Sequence, residues 1–248
     1  MFKTLIWQKD RMLMDDLVFR LQHHLSDDWE LADRCFIFFK TQALVNQYQA
    51  FFSAHREFHP RNVFELGLWD GGSLAFWFEN LRPAKQIGID IQQRSNSQYL
   101  QNYIKDRKLA DRLKVYWGID QSDAQKIGAI VSHEFDGPLD LVIDDASHFY
   151  EPTKTSFECL FPLLKPGGFY LIEDWAWELW NEFKSPDHPM VNETGLTGLV
   201  AQLVKATGVS RSLIRSITIY RGFTAVERGD AVLNSSTFRL LDHITETA

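Results

Sequence analysis

Apolar positions follow helical spacing twice within the first sixty residues. Met14, Leu17, Val18, Leu21 and Leu25 recur at intervals that suit one helix face, and Leu44, Val45, Tyr48, Phe51 and Phe52 do the same. The pattern predicts two amphipathic helices. The apolar segment CFIFF between them, residues 35–39, is ambiguous by periodicity. His59-Pro60 closes the region, because proline biases the residue before it away from helix.

A different rhythm then begins. Short apolar runs occupy 63–66, 86–89, 114–117, 141–143 and 169–172, and helical patterns fill most of the gaps. The clearest of these patterns is Phe157, Leu160, Phe161 and Leu164, stopped by Lys165-Pro166-Gly167-Gly168. Ser122 with Gln125 has the spacing of a capping box at the start of another helix. Alternating strands and helices imply a parallel sheet covered on both faces. Residues 216–220 and 223–227 flank Arg221-Gly222 and predict a late antiparallel pair closing that sheet. The division expected is a helical extension over 1–60 and an α/β, doubly wound domain over 61–248.

Composition narrows the class. The 248 residues are 45% hydrophobic and 24% charged, which supports a large core. No apolar run approaches the ~20 residues of a membrane span, and the N-terminus turns charged too soon for a secretory signal. The net charge is −7 without a block of Lys and Arg, which disfavours nucleic acid as a partner. Cys35 and Cys159 lie far apart with no CxxC, so free thiols in a reducing cytoplasm are expected.

Ligands in doubly wound folds bind beyond the carboxyl ends of the strands, so the residues there carry the chemistry. The first strand of the alternating region ends in ELGLWDGGS. Gly67 permits a tight turn, Gly71 and Gly72 allow close backbone approach, and Ser73 opens a helix. These glycines do not spell GxGxxG, which argues against a nicotinamide-dependent oxidoreductase. Glu65 in the same strand suits a cationic ligand better than a phosphate. Asp90 lies 20 residues beyond Asp70, where an acid can hold ribose hydroxyls. Asp120 and Gln121 could read an adenine edge, or Asp120 could merely start the next helix. The fourth strand delivers Asp144, Asp145 and His148, and the fifth delivers Glu173 and Asp174 to the same sheet edge. Four carboxylates gathered there are hard to ionise together, and a divalent cation with oxygen ligands would remove the difficulty.

Taken in order, these residues resemble a class I S-adenosylmethionine-dependent methyltransferase over roughly residues 61–230. Trp69 in the middle-glycine position, with DDASH and LIEDW, resembles the macrocin O-methyltransferase group and the related cephalosporin hydroxylase-like proteins. The resemblance implies a Rossmann-like, mostly parallel seven-stranded sheet, S-adenosylmethionine, Mg²⁺ and a hydroxyl-bearing small-molecule acceptor, with a sugar-bearing natural product suspected. It also implies a homo-oligomer. Carried over by position, Glu65 and Gly67 line the methionine end of the cofactor, Asp90 meets its ribose, and Asp120 and Gln121 face adenine. Asp145, Glu173 and Asp174 are implied as metal ligands and His148 as general base. Either Asp144 or Asp145 could be the ligand, leaving the other for the cofactor amine. Catechol O-methyltransferases show a similar spacing, with a lysine base where His148 stands. The Trp-rich insertion over 175–195 is expected to form a substrate wall or lid, although Trp177 and Trp180 could simply pack on the core. A metal-independent methyltransferase and a non-catalytic cofactor-binding module are the alternatives.

Overall fold

The computed structural model of the chain describes residues 2–22, 35–93, 98–188, 190–210 and 212–245. Its frame is a seven-stranded sheet made by β5 (Asn62–Leu66), β6 (Lys85–Asp90), β7 (Leu113–Trp117), β8 (Leu139–Asp144), β9 (Leu164–Glu173), β10 (Ile214–Ile219) and β11 (Phe223–Arg228). The strand order is β10-β11-β9-β8-β5-β6-β7. The five strands from β7 to β9 run parallel, and β11 is antiparallel to both β9 and β10. Order reverses between β5 and β8, the switch point where ligands of such sheets bind.

Strand side chains alternate between two cores, as period-two geometry requires. Val63, Leu141, Ile143, Phe169 and Leu171 face one core, shared with α1 (Gln42–Ala54), α2 (Gly72–Leu81) and α3 (Gln98–Asp106). Phe64, Leu66, Val142, Tyr170 and Ile172 face the other, filled by α4 (Ala124–Glu134), α5 (Tyr150–Leu160) and α6 (Thr197–Val209).

The second expected N-terminal helix is α1, capped by Thr41 Oγ1 accepting from the Leu44 N–H at 3.2 Å. The first is not a helix. Met14, Leu17, Val18 and Leu21 lie on a hairpin of β2 (Arg11–Met14) and β3 (Leu17–Leu21), joined at Asp15, whose φ is 53°. Met12, Met14, Leu17 and Phe19 are all buried, so the operative period is two across a two-residue turn. The helical reading joined residues that the Asp15-Asp16 turn separates. Leu25 lies outside the described residues. β1 (Ile6–Trp7) and β4 (Phe36–Phe38) complete a four-stranded sheet, which resolves the ambiguous CFIFF segment as strand. Met12, Phe19, Phe36 and Phe51 share one core with Val63, Trp77 and Phe169, so the segments before and after residue 60 are packed together.

Two local expectations shift by a few residues. Asp123 rather than Ser122 caps α4, with Oδ1 accepting from the Lys126 N–H at 3.0 Å. The segment Lys165–Gly168 lies within β9, and a short 3-10 turn over Phe161–Leu163 separates it from α5.

Candidate active site

The carboxyl ends of β5, β6, β8 and β9 open into one cavity of about 1060 Å³, lined among others by Gly67, Ser73, Asp90, Asp120, Gln121, Asp145, His148, Glu173 and Asp174. Small-molecule pockets span about 300–1,000 Å³, so this one lies at the upper end of that range.

Gly67 is required by a close approach: at φ 83°, its added Cβ would lie 2.0 Å from the Asp145 carbonyl oxygen. Gly71 and Gly72 do not line the cavity. A Cβ on Gly72 would meet the Ile37 carbonyl at 2.0 Å, and one on Gly71 would meet Leu100. These two glycines therefore serve the packing of β4 and α3 against the loop. Asp70 fixes the same junction, accepting from the N–H of Ile37 at 2.9 Å and of Gly72 at 3.1 Å. Glu65 is fully buried beneath the cavity and does not line it, unlike its expected role at the methionine end. Gln86 Nε2 donates to it at 3.1 Å, and burial pushes its carboxyl up to about 8 despite the Ser73 hydroxyl beside it.

Asp90 lines the cavity, but much of its carboxylate is already engaged. Oδ2 accepts from the N–H of Leu68 and Trp69 at 2.8 Å each, and Oδ1 from that of Gln92 at 2.7 Å. A carboxylate offers about four lone-pair sites, so room for a ribose hydroxyl remains, chiefly on Oδ1. Asp120 is exposed at the rim, with Oδ1 accepting from the Ser122 N–H at 2.7 Å. Gln121 is buried and turned inward. Its Nε2 donates to Asp144 Oδ1 at 3.2 Å, and its Oε1 accepts from the Ser147 N–H at 2.7 Å. It shapes the wall that adenine was expected to meet, with its amide committed to the protein.

The adjacent aspartates point to different places. Asp144 lies outside the cavity lining and accepts from the hydroxyls of Tyr170 at 2.7 Å and Ser156 at 2.8 Å. Burial raises its pKa against the pull of those donors. Asp145 faces the cavity, and the Asp145 N–H donates to the Leu66 carbonyl at 2.9 Å.

Around Asp145 the structure adds a residue that the sequence had not singled out. Lys40, between β4 and α1, is almost fully buried and reaches Asp145 Oδ2 at 2.7 Å and the two oxygens of Glu173 at 2.6 and 2.7 Å. Burial opposes its charge, but the two carboxylates more than reverse that and hold its pKa above the ordinary value. Glu173 is pushed upward by burial first and Asp145 second, against the pull of Lys40. Tyr48 of α1 stands beside it, its hydroxyl kept well above the ordinary range by burial and then by Glu173. Only a lone lysine after an apolar run marked Lys40 in the sequence. The pairing depends on how the N-terminal segment docks.

Asp174 and His148 complete the group. Both sit in left-handed backbone, at φ 49° and 60°. Asp174 is held by its N–H donating to the Gly222 carbonyl at 2.8 Å, and His148 by its carbonyl accepting from Trp177 Nε1 at 2.7 Å. Burial raises the Asp174 pKa. His148 Nε2 is 3.7 Å from Asp145 Oδ1. Asp145, His148 and Asp174 each offer one ligand atom, all within 4.8 Å of one another. The two carboxylate oxygens in that space fit a hard divalent cation, with the imidazole nitrogen close beside them. Glu173, expected as a third carboxylate ligand, has both oxygens on Lys40 instead. The insertion after β9 forms one wall of the cavity through Trp177, Trp180, Phe183 and Met190, and Phe39 against Trp69 forms part of another.

Residues 64–175 match a family described as a methyltransferase domain. Demethylmacrocin O-methyltransferase of Streptomyces fradiae is 28% identical over 202 residues, covering 73% of this chain and 47% of that protein. Mycinamicin VI 2''-O-methyltransferase of Micromonospora griseorubida is 34% identical over 170 residues, covering 62% and 39%. Among solved structures, the MycE methyltransferase in complex with Mg, SAH and mycinamycin VI superposes with a TM-score of 0.57 at 30% identity, covering 78% of this chain and 51% of that one. The chain thus spans about half the length or less of these relatives. The seven-stranded sheet and the match over residues 64–175 are those of a methyltransferase domain. Over that span and beyond it the chain is similar to the macrocin and mycinamicin O-methyltransferases. Among the described residues, no helix is long and apolar enough to cross a membrane.

Proposed function

We propose that this protein transfers a methyl group from S-adenosylmethionine to a hydroxyl of a small, sugar-bearing natural product, assisted by Mg²⁺. The observation that carries the reading is the convergence of Asp145, His148 and Asp174 on the wall of the cavity at the strand ends. The relatives' names support the hydroxyl as acceptor, and one relative was solved with Mg and SAH.

The acids Asp145 and Asp174 would hold the cation. Bound there, Mg²⁺ supplies positive charge that makes a neighbouring hydroxyl more acidic. His148 Nε2 takes the hydroxyl proton, a role open only to neutral imidazole. As the new O–CH₃ bond forms, the S–CH₃ bond breaks and its electron pair stays on sulfur, leaving S-adenosylhomocysteine. Asp90 and the loop it fixes would hold the cofactor's ribose end. The aromatic wall built on Trp177, Trp180 and Phe183 would exclude water and hold the acceptor in line, which is the larger part of what a methyl transfer needs. The reading also includes a reducing, cytoplasmic setting, supported by free Cys35 and Cys159. A homo-oligomer belongs to it on family resemblance, and light scattering on the purified chain tests that part.

One observation favours a second reading. Lys40 already brings a cation to two of the acids, as a metal-independent methyltransferase would require. Turnover of S-adenosylmethionine on a panel of glycosylated acceptors separates the two. EDTA should abolish S-adenosylhomocysteine formation and added Mg²⁺ should restore it. Full activity in metal-free buffer would establish the second reading. Tight cofactor binding with no turnover on any hydroxylated acceptor would point to a binding module.

A further inference from the structure

His148 lines the cavity from a backbone at φ 60°. A residue other than glycine stays in such a conformation only where its surroundings over-determine it. Hydrogen bonds along the turn after β8 do so. The Asp145 N–H donates to the Leu66 carbonyl at 2.9 Å, and the Ser147 N–H to Gln121 Oε1 at 2.7 Å. The peptide that follows His148 is gripped at both ends: the Phe149 N–H donates to Ser147 Oγ at 3.2 Å, and the His148 carbonyl accepts from Trp177 Nε1 at 2.7 Å. That last donor comes from the insertion after β9. Trp177 is itself buried, and its ring packs on Phe149 at 6.1 Å and on Phe183 at 5.3 Å between centroids. One side chain therefore touches both the aromatic wall of the cavity and the peptide that carries His148.

We propose that Trp177 is a positioning residue for His148, its indole N–H fixing the peptide plane that sets the direction of the imidazole in the cavity. The direction of a Cα–Cβ bond follows from the peptide planes on either side of it, so a turn of the peptide between His148 and Phe149 swings the ring. A misplacement of about 1 Å at a reacting atom can cost about a hundredfold in rate. The inference rests on the reading of His148 as the base of a methyl transfer. It gives the insertion a task besides walling the acceptor: wall and base are fixed through one indole.

The test is Trp177→Phe in the full chain, which keeps an aromatic ring in the wall and removes the N–H. With Mg²⁺ and S-adenosylmethionine saturating, kcat should fall by about tenfold to a hundredfold while KM for the acceptor moves by less than threefold. Added to His148→Asn, the same change should alter kcat by less than threefold, because no base is left to misplace. A fall of equal size in both backgrounds would make Trp177 a wall residue only and overturn the proposal, as would an unchanged kcat or a loss confined to KM. Benzothienylalanine at position 177, with sulfur in place of the N–H and the two-ring shape kept, repeats the comparison if Trp177→Phe does not fold. The ring signals of His148 in protein labelled with ¹⁵N-histidine give a readout without turnover: they should shift when the N–H is removed, and unmoved signals would overturn the proposal. If wild type methylates no acceptor, the methyl-transfer reading falls and these signals alone decide the Trp177 contact. A His148→Asn enzyme as fast as wild type withdraws the base, and the proposal falls with it while methyl transfer stands.

Discussion

Tyr170 donates its hydroxyl to Asp144 Oδ2 at 2.7 Å, and this contact separates the work of two neighbouring aspartates. With Ser156 and Gln121 also on Asp144, that carboxylate is tied to the interior while Asp145 is left for the cavity. Tyr170→Phe removes one donor from a buried acid and should cost about 1–3 kcal/mol of stability in urea denaturation. In the folded fraction kcat should stay within threefold. A large fall in kcat at unchanged stability would mean that Asp144 acts on the reactants.

Glu65 predicts a pH dependence. Its ordinary value of 4.5 is pushed up to about 8 in the folded protein, so the native state holds the proton more tightly than the unfolded chain. The associated stability is complete below the unfolded value and is lost as pH rises through the folded one, by up to about 1.4 kcal/mol per pH unit. Glu65→Gln mimics the protonated form, so its melting temperature should gain on wild type steadily from pH 5 to pH 8. A difference that does not change with pH would show that Glu65 ionises without penalty.

His148 is best tested as His148→Asn. The residue sits at φ 60°, a conformation asparagine tolerates better than alanine, so backbone strain does not confuse the result. Loss of a general base should lower kcat by ~10²–10⁴ at saturating Mg²⁺. Calorimetric affinity for S-adenosylhomocysteine should move by less than threefold. A kcat within threefold of wild type, on an acceptor whose chemical step limits the rate, would remove His148 from the mechanism.

Asp90→Ala should weaken S-adenosylhomocysteine binding by about tenfold to a hundredfold, the equivalent of roughly 1–3 kcal/mol. Part of that loss comes from the glycine loop, since Asp90 holds the N–H groups of Leu68 and Trp69. The variant should therefore also melt earlier without ligand. Unchanged affinity by calorimetry would mean that the ribose lies elsewhere.

Gly72→Ala places a methyl group 2.0 Å from the Ile37 carbonyl, and backbone must move to admit it. Overpacking of this kind costs roughly 1–3 kcal/mol. The loss should appear in thermal melting whether or not cofactor is present, because Gly72 faces β4 and not the cavity.

The sheet was legible because its signals are local. Each of the seven strands of the main sheet coincides with an apolar run, and Arg221-Gly222 marked the antiparallel return. Acids at strand ends were legible for the same reason: a strand end fixes position even when the side chain's direction is unknown. Direction was the part that failed to show. Period-two alternation could not say which of Asp144 and Asp145 faced the cavity, because the turn after β8 breaks the alternation at that point. The N-terminal hairpin was lost to a helical period that happened to span a turn. Lys40 carried no signal, since its meaning lies in Asp145 and Glu173, more than a hundred residues away in sequence.

The family match begins at residue 64, yet three threads sew the preceding segment to the reaction chamber: Ile37 to Asp70, Lys40 to Asp145 and Glu173, and Gln47 to Gly222. A fragment cut at residue 61 would keep every acid implied by the family and lose the only buried ammonium that, among the described residues, touches them. The stretch that the family model matches therefore leaves out a side chain that its acids touch. An engineer who transplants it alone would inherit a cluster of bare carboxylates that repel one another.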